Sequence, residues 1–464
     1  MKRFWVLTVV LSCCAQLPLT AQSAEQASAL PTAPLPILNL SLQAGAVPPS
    51  GAPAGQPQRL TRVEAENLAI RNNPRIRIGQ LLALAQHQVV RESRSADLPT
   101  LNGAISAVDA EDGSRVSAGY LTASRLITHA GAGGSLTQLL TDFGRTHNLI
   151  LSQKLAEKAA NANAVATKQE IVLATDEAFY SALSAHAILQ VAQQTVATRQ
   201  TTQTQVNQMT NNKLKSTLDL SFADVTLSQG RLLQLDAQNN ADAAMATLDS
   251  VLGLDHSVVY DLIDDTTPLT AQPPDSDQLI QTALQQRPDL QAFTYDQQSS
   301  QKYARAEWEQ MLPSITAAGT GGSVPIRPDQ YYISNWWGAV GVNMNIPIFN
   351  GFLYSSQAKE AEYHARAAQE RTRDLRDRIV RDVRTAWLNA NTAYQRVGVT
   401  AELVKEANLA LQLAQTRYTL GLSSIVELSQ AQLQQTSAAI DNTNAQYQYR
   451  LALATINYQI GANP

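Results

Sequence analysis

Few side chains in this sequence have the type and spacing that catalysis or metal binding requires. The six histidines form no His-Glu-x-x-His motif, the cysteines show no metal-ligand spacing, and no Gly-x-Ser-x-Gly nucleophile motif occurs. The glycine-rich runs at 131–134 and 319–322 lack the lysine and the following helix of a phosphate-binding loop. Such runs are more typical of bends or close packing in strands. We therefore predict a protein that is not an enzyme and binds no metal or cofactor.

The N-terminal segment 1–24 has the features of a secretory signal. Lys2 and Arg3 precede an apolar stretch, and small residues lead up to Ala24. Cleavage after Ala24 would remove both cysteines and leave no disulfide. The alternative is cleavage before Cys13, which would then be a lipidated first residue. The sequence leaves both routes open.

Composition and charge restrict the function classes further. Charged residues make up only 16% of the 464 residues, whereas about 25% is usual. The formal net charge of -4 argues against a nucleic-acid binder, which would carry a basic stripe. Beyond the N-terminus no run of 18 or more apolar residues occurs, so a helical membrane span is not predicted. Any membrane contact would then require a β-barrel or a lipid anchor.

The chain contains an internal repeat. Helix ends at Pro74 and Pro288 are offset by 214 in the numbering, and the Leu-Pro pairs that end at Pro99 and Pro313 have the same offset. Further along, the offset becomes 208, as between Gly253 and Gly461. A match of this kind without gaps means that the two copies share one length, as two parts of one rigid wall would need.

The body of each copy is helical and long. Small and polar residues recur at spacings of three and four over 220–248 and 428–456, which is the pattern of a coiled-coil seam. The helices before these seams are expected over about 144–210 and 352–418, and 67 residues at ~1.5 Å each reach about 100 Å. Because alanine, glycine, glutamine and asparagine bury little area, many such helices must pack side by side to be stable.

Two stretches, roughly 99–141 and 313–349, predict strands instead. In the second, apolar and small or polar residues alternate from Asn335 to Ile348. That length is close to the one needed by a tilted transmembrane strand. Aromatic residues gather at one end, where a membrane-interface girdle would lie: Tyr331, Tyr332, Trp336 and Trp337. Two strands per copy give about four per chain, and four cannot close a barrel. If these strands cross a membrane, two chains would supply eight strands and three chains twelve.

In their order, spacing and duplication these landmarks resemble the TolC-like outer-membrane efflux protein (outer membrane factor) family. The resemblance covers nearly the whole chain from about Leu60 to Gly461. It rests on these segments: Asn73-Pro74, Arg287-Pro288-Asp289-Leu290, the paired Leu-Pro steps, Ile346-Pro347-Ile348-Phe349-Asn350-Gly351, and Arg417-Tyr418-Thr419-Leu420-Gly421-Leu422-Ser423-Ser424-Ile425-Val426-Glu427-Leu428.

The resemblance implies a mainly α fold with a β-barrel portion. A homotrimer would build a long antiparallel coiled-coil α-barrel and a 12-stranded transmembrane β-barrel. It would be a porin-like exit duct in the outer membrane of a Gram-negative bacterium, extending into the periplasm and serving a tripartite efflux or type I secretion system. The duct would conduct solutes passively, with a periplasmic adaptor (membrane fusion) protein, an inner-membrane transporter and outer-membrane lipid as partners.

Two turns are expected to form the periplasmic end and to dock the adaptor. The predicted docking residues of the first turn are Lys213, Leu214 and Ser216, and those of the second are Arg417, Gly421, Leu422, Ser423 and Ser424. Lys213 stands where the family pattern has glycine. Glu427 and Asp219 are the predicted aperture residues, because a ring of three carboxylates would resist joint ionisation and favour cations. Gln430 replaces the second acid that many members carry. The alternative for Glu427 and Asp219 is an ordinary solvated helix surface.

These inferences divide the chain into six segments. They are a signal peptide over 1–24, a Pro/Ala-rich extended arm over 25–58, a first repeat over 59–253, an equatorial linker over 254–274, a second repeat over 275–461 and a tail over 462–464. The competing interpretation is a periplasmic coiled-coil adaptor or a structural envelope protein without a pore. Such a protein would not be expected to duplicate the helix-strand-helix unit or to carry an alternating strand with aromatic residues at its end.

Overall fold

The computed structural model describes residues 58–108, 115–116, 124–125, 129–254, 260–264, 274–323 and 336–462. The predicted signal peptide with Cys13, nearly all of the predicted arm, and the predicted interface residues Tyr331 and Tyr332 lie outside these ranges. So does most of the predicted linker.

Eight helices occur in the described part of the chain, four in each copy of the repeat. In the first copy they are α1 (Arg62–Asn72), α2 (Pro74–Ser95), α3 (Arg145–Asn211) and α4 (Thr217–Leu252). In the second copy they are α5 (Ser276–Gln286), α6 (Pro288–Glu309), α7 (Leu353–Thr419) and α8 (Ile425–Gln459). Corresponding helices have 11, 22 and 67 residues in both copies, and α4 and α8 have 36 and 35. The predicted mainly α fold with two repeats is confirmed.

Local sequence explains where the short helices begin and end. Thr61 and Glu64 form a capping box at the start of α1. Asn73 and Arg287 have extended backbone conformations, and each is followed by a proline at the first position of the next helix. Proline fits there because its missing N–H would have no helical partner, and it disfavours a helical conformation in the residue before it.

The strands are β1 (Gln58–Leu60), β2 (Thr100–Val108), β3 (Arg115–Val116), β4 (Ser124–Arg125), β5 (His129–Thr141), β6 (Tyr260–Leu262), β7 (Ser314–Ser323) and β8 (Trp336–Asn345). Strands β2, β5, β7 and β8 form one antiparallel sheet in the order β2-β5-β7-β8, which joins the two copies. Strand β1 pairs with β6 in parallel. The predicted alternation extended to Ile348, but β8 ends at Asn345, just before Pro347, which has no N–H for a ladder.

Buried side chains form several small clusters along the helices. One cluster lies where α1, α3 and α4 meet and contains Phe179 and Leu248. A second includes Ile379 and Val383, and a third lies near the turns at the far end of the helices around Val206. Alanines are frequent among these buried positions, so the helices approach closely but bury little apolar area per residue. In the described ranges, none of the helices has both the length and the apolar character that crossing a membrane demands.

Candidate functional site

The two turns that end the long helices have the same backbone geometry. In the α3–α4 turn, the Leu214 N–H donates to the Met209 carbonyl at 2.9 Å. In the α7–α8 turn, the Leu422 N–H donates to the Arg417 carbonyl at 2.8 Å. A bond of this span is the hallmark of a Schellman motif, which needs one residue with positive φ. Gly421 supplies it in the second turn with φ 73°, and Lys213 supplies it in the first with φ 62°.

The two predicted aperture carboxylates have different partners. Asp219 accepts from the Ser216 N–H at 3.2 Å, and the Ser216 side chain caps α4 in return. Glu427 occupies the equivalent position of α8, but its carboxylate lies 3.2 Å from Arg417 Nε. Both members of that ion pair are about half exposed. Asp219 is therefore part of a helix cap, whereas Glu427 is part of an ion pair at the second turn.

A contact between the two copies adds two residues that the sequence interpretation did not single out. Lys215 Nζ lies 4.4 Å from the centroid of the Tyr418 ring, which is a cation–π geometry. Tyr418 is buried, and its hydroxyl has no hydrogen-bond partner among the described residues. Burial, and then the negative charge of Asp219, raise the pKa of the Tyr418 hydroxyl above its usual value. Lys215 and Tyr418 thus connect the first turn to the end of α7.

All of the predicted docking residues except Ser423 are exposed. Leu214 and Leu422 are 73% and 68% exposed, and Leu420, at the start of the second turn, is 67% exposed. Ser216 and Ser424 cap α4 and α8. The Ser423 hydroxyl is buried and has no hydrogen-bond partner among the described residues. The turns therefore expose leucine side chains beside polar residues such as Lys213 and Ser216.

The four-stranded sheet has an apolar face and two open edges. Every residue of β8 is exposed, and its valine side chains lie on one face, with Val340 at 92% and Val342 at 68% exposed. Trp336 lies on the same face, whereas the Trp337 ring lies on the other face near Gly133 and Gly322. Within the described ranges, β2 and β8 each pair on one side only. Both edges therefore carry backbone groups that a neighbouring strand could satisfy.

Helices α4 and α7 each present an apolar stripe that no other part of the described chain covers. The helices pack in the order α4, α3, α8, α7, so that α4 and α7 are the outer pair. Exposed residues on α4 recur at heptad-type spacings: Leu218, Phe222, Val225 and Leu232. A second stripe on α7 contains Val399, Leu403 and Leu413. Heptad spacing of apolar residues is typical of a helix that packs against another helix.

The same ranges contain no cluster of three or more histidine, cysteine, aspartate or glutamate side chains that could hold a metal ion. At the turns the structure shows helix caps, one ion pair, one cation–π contact and exposed leucines.

The sequence matches the family model described as outer membrane efflux protein over residues 66–254 and 279–462. It is 25% identical to the outer membrane protein TolC of Escherichia coli (strain K12) over 426 residues, which cover 85% of this chain and 84% of the relative. It is 22% identical to the outer membrane efflux protein BepC of Brucella suis biovar 1 (strain 1330) over 347 residues, which cover 74% and 72% of the two chains.

Solved structures share the fold. The outer-membrane channel OprN superposes with a TM-score of 0.76 at 18% identity, covering 87% of this chain and 90% of that one. The CmeC outer membrane channel of Campylobacter jejuni superposes with a TM-score of 0.74 at 16% identity, covering 86% and 85%.

Proposed function

The chain belongs to the outer membrane efflux protein family, and on this premise we propose that three copies of it form an exit duct whose periplasmic end docks an adaptor protein. The protein is an outer-membrane efflux channel that extends into the periplasm. As a passive duct it would take its solutes from an inner-membrane transporter through the adaptor.

The observation that carries the trimer is the four-stranded sheet with two open edges. An unpaired strand edge in hydrocarbon leaves backbone groups without partners, at several kcal/mol each. Pairing β8 of one copy with β2 of the next satisfies both edges, and three copies supply twelve strands. The exposed valines of β8 then face lipid, and Trp336 is the aromatic residue that we assign to the membrane interface.

The stripes on α4 and α7 support the same arrangement. They flank each helix unit, so α4 of one copy can pack against α7 of the next around a ring. Three copies of α3, α4, α7 and α8 give twelve helices, and each 67-residue helix is about 100 Å long at ~1.5 Å per residue. That length suits a duct across the periplasm.

The assembly is tested by mass and conductance. The purified protein should have the mass of three chains and should form discrete channels in a planar lipid bilayer. Leu232→Asp puts a charge into the α4 stripe and should abolish both properties, whereas Leu232→Met keeps the stripe apolar and should preserve them. A stable, folded monomer of the unaltered chain that forms no channels would contradict the proposal.

We further propose that Glu427 and Arg417 set the ion preference of the periplasmic mouth. Glu427 is the aperture carboxylate that is not used in a helix cap, and Arg417 neutralises part of its charge. Arg417→Gln should therefore increase the cation preference of single channels, and Glu427→Gln should decrease it. Equal preference in the two variants would contradict a role for this pair at the mouth.

The adaptor would dock on the exposed leucines of the turns. A cysteine at Leu422 should crosslink to the adaptor in cells that export solutes. Leu388 is also exposed but lies near the middle of α7, far along the helix from the turn, so Leu388→Cys is the matched control. Efficient export without a crosslink at Leu422, or equal crosslinking at Leu388, would count against docking on the turns.

A further inference from the structure

Trp337 lines a cavity on the four-stranded sheet. The cavity has a volume of about 430 Å³ and is formed by residues of β2, β5, β7 and β8. The sequence predicted Trp337 for the membrane interface, but its ring lies on the sheet face opposite Val340 and Val342, which we call the inner face. Since those valines face lipid in the proposed duct, the cavity faces the bore. Its volume is in the range of about 300–1,000 Å³ that is usual for small-molecule sites.

Two neighbouring rows of cross-strand partners meet at the cavity. Across β2, β5, β7 and β8, the first row is Ala104, Gly133, Gly322 and Trp337, and the second row is Asn102, Ser135, Thr320 and Ala339. Neither row contains a charged residue. Residues two apart on a strand point to the same face and lie about 6.8 Å apart. An aromatic ring therefore stands beside a row that carries one amide and two hydroxyl groups.

The first row has glycine where the Trp337 ring lies against the sheet. A Cβ on Gly322 would be 3.3 Å from Cζ2 of Trp337 and 2.6 Å from the Ala132 carbonyl oxygen. A Cβ on Gly133 would be 3.8 Å from the same ring atom. The ring therefore reaches from β8 across β7 towards β5, because no side chain stands in its way. Contact with the backbone restricts the ring, and 47% of Trp337 stays exposed, so that an aromatic surface is available to a solute.

We propose that this cavity binds uncharged planar aromatic solutes that carry a hydrogen-bonding substituent, with Trp337 as the residue that contacts their ring. The placement of the site in the bore rests on the duct proposed above. Aromatic rings attract an indole ring in offset or edge-to-face arrangements that a saturated ring cannot make. Ser135 and Thr320, one row away, are placed to hydrogen-bond the substituent of a ring that contacts Trp337. An uncharged solute is favoured because no side chain of either row would offset the cost of desolvating an ion.

The probe is naphthalene-2-carboxamide, with the saturated decahydronaphthalene-2-carboxamide as its matched comparison. Both are uncharged and carry the same amide, but only the first has a planar aromatic surface. Binding to the full chain in nanodiscs of deuterated zwitterionic lipid is measured by titration in saturation-transfer NMR, and empty nanodiscs give the lipid background. We expect the aromatic amide to bind about threefold to tenfold tighter, as one aromatic contact would give. Partition into apolar surroundings alone would favour the saturated amide.

Variants of β8 identify the ring that is responsible. Trp337→Ala should remove the preference for the aromatic amide, and Trp337→Phe, which keeps a smaller aromatic ring, should retain part of it. Trp336→Ala is the matched control, because Trp336 is the neighbouring tryptophan on the opposite face, and it should leave the preference unchanged. If Trp337→Ala fails to fold, Trp337→Phe and the ratio of affinities in the unaltered chain decide the matter.

The two rows lie within one chain, so binding is read whether or not channels form. Equal affinity for the two amides, a preference for the saturated one, or a preference that survives in folded Trp337→Ala would each overturn the inference. A conducting trimer without the aromatic preference would overturn this inference and leave the duct intact. A chain that binds the aromatic amide through Trp337 but forms no channels would support the site and contradict the duct.

Discussion

The two copies of the repeat have the same backbone geometry, but they differ in the side chains that join one helix to the next. Between α1 and α2, Asn73 donates to the Val251 carbonyl at 2.9 Å and caps α2 with its side-chain oxygen. Between α5 and α6, Arg287 takes this position; it donates to Gln459 and lies 2.6 Å from Asp289. A neutral amide in the first copy and a charged pair in the second thus stabilise equivalent junctions between two helices. The backbone geometry is common to both copies, and the side chains that hold it are particular to each.

The same contrast recurs at the acids that begin α4 and α8. Asp219 folds back onto the N–H of Ser216, whereas Glu427 lies beside Arg417. Because the first acid completes a cap, it contributes mainly to local stability. The carboxylate of Glu427 completes no cap, so its charge can act on ions in the solvent near the second turn. Divergence between the copies therefore separates a carboxylate that caps a helix from one in an ion pair, and the role at the mouth that we propose belongs to the second.

The largest effect is expected at the glycine that follows α4. Gly253 has φ 72°, and a Cβ there would lie 2.9 Å from the Asn72 carbonyl oxygen. Gly253→Ala should lower the free energy of unfolding by on the order of 3 kcal/mol, since a left-handed conformation alone costs roughly 1–2 kcal/mol for a residue with a Cβ. Gly461 is its counterpart in the second copy, with nearest backbone contacts at 3.1 Å, so Gly461→Ala should cost less. Thermal unfolding of the purified assembly measures both.

Gly398 offers the matched control for these substitutions. It lies in the interior of α7, and a Cβ there would meet no atom within 4 Å. Gly398→Ala should therefore stabilise the protein by about 0.5–1 kcal/mol. If all three alanine variants change stability alike, close backbone packing at Gly253 and Gly461 is not the reason that glycine is needed there.

The second prediction concerns a buried acid that only the first copy has. Asp176 on α3 is 1% exposed, close to Glu66 and 3.6 Å from an Arg62 nitrogen. At the equivalent place in the second copy α7 carries the exposed Arg384. Burial, and then the charge of Glu66, raise the pKa of Asp176 to about 7 from a usual 3.8, and Arg62 opposes this shift.

The pH dependence follows from the direction of that shift. The folded state holds a proton on Asp176 that the unfolded state releases near pH 3.8, so the stability contributed by this group is lost as pH rises from about 4 to 7. Asp176→Asn should remove this loss and stabilise the protein at pH 8 by on the order of 2 kcal/mol. Unfolding temperatures at pH 5 and pH 8 measure it, and the exposed Asp242→Asn is the control. An unchanged pH slope in Asp176→Asn would show that another group is responsible.

Much of the fold could be predicted from the sequence because local residues fix the ends of its helices. Pro74, Pro288, Gly253 and Gly461 determine where helices stop through backbone sterics alone, and their separations reveal the repeat. The alternation in β8 was visible for the same reason, since side-chain direction in a strand follows from chain position.

The contacts at the turns could not be predicted in this way. Lys215 and Tyr418 belong to different copies of the repeat, and the geometry of their contact depends on how α3, α4, α7 and α8 pack. Arg199 carries no local sequence signal of burial, although packing against Gly230 of α4 leaves it only 5% exposed. The sequence shows Gly230 as a small residue of the helical seam over 220–248, but it does not show that Arg199 packs against it.

A smaller effect than at Gly253 or Asp176 is expected at the turns themselves. Lys213 adopts φ 62°, where its counterpart Gly421 adopts 73°. Lys213→Gly should stabilise the first turn by about 1 kcal/mol by removing the left-handed strain, and Gly421→Ala should destabilise the second by a similar amount. No atom lies within 4 Å of a Cβ on Gly421, so its effect reports backbone strain alone. Hydrogen exchange of the Leu214 and Leu422 amides, which close the two turns, measures each change locally.

Lys213→Ala separates strain from charge, since alanine keeps the Cβ but removes the ammonium group. It should leave exchange at Leu214 near that of the unaltered chain, whereas Lys213→Gly should slow it. If instead Lys213→Ala matches Lys213→Gly, the lysine charge rather than its backbone conformation destabilises the first turn. The two turns would then differ in electrostatics rather than in backbone strain, and the equivalence of their backbones would not extend to their energies.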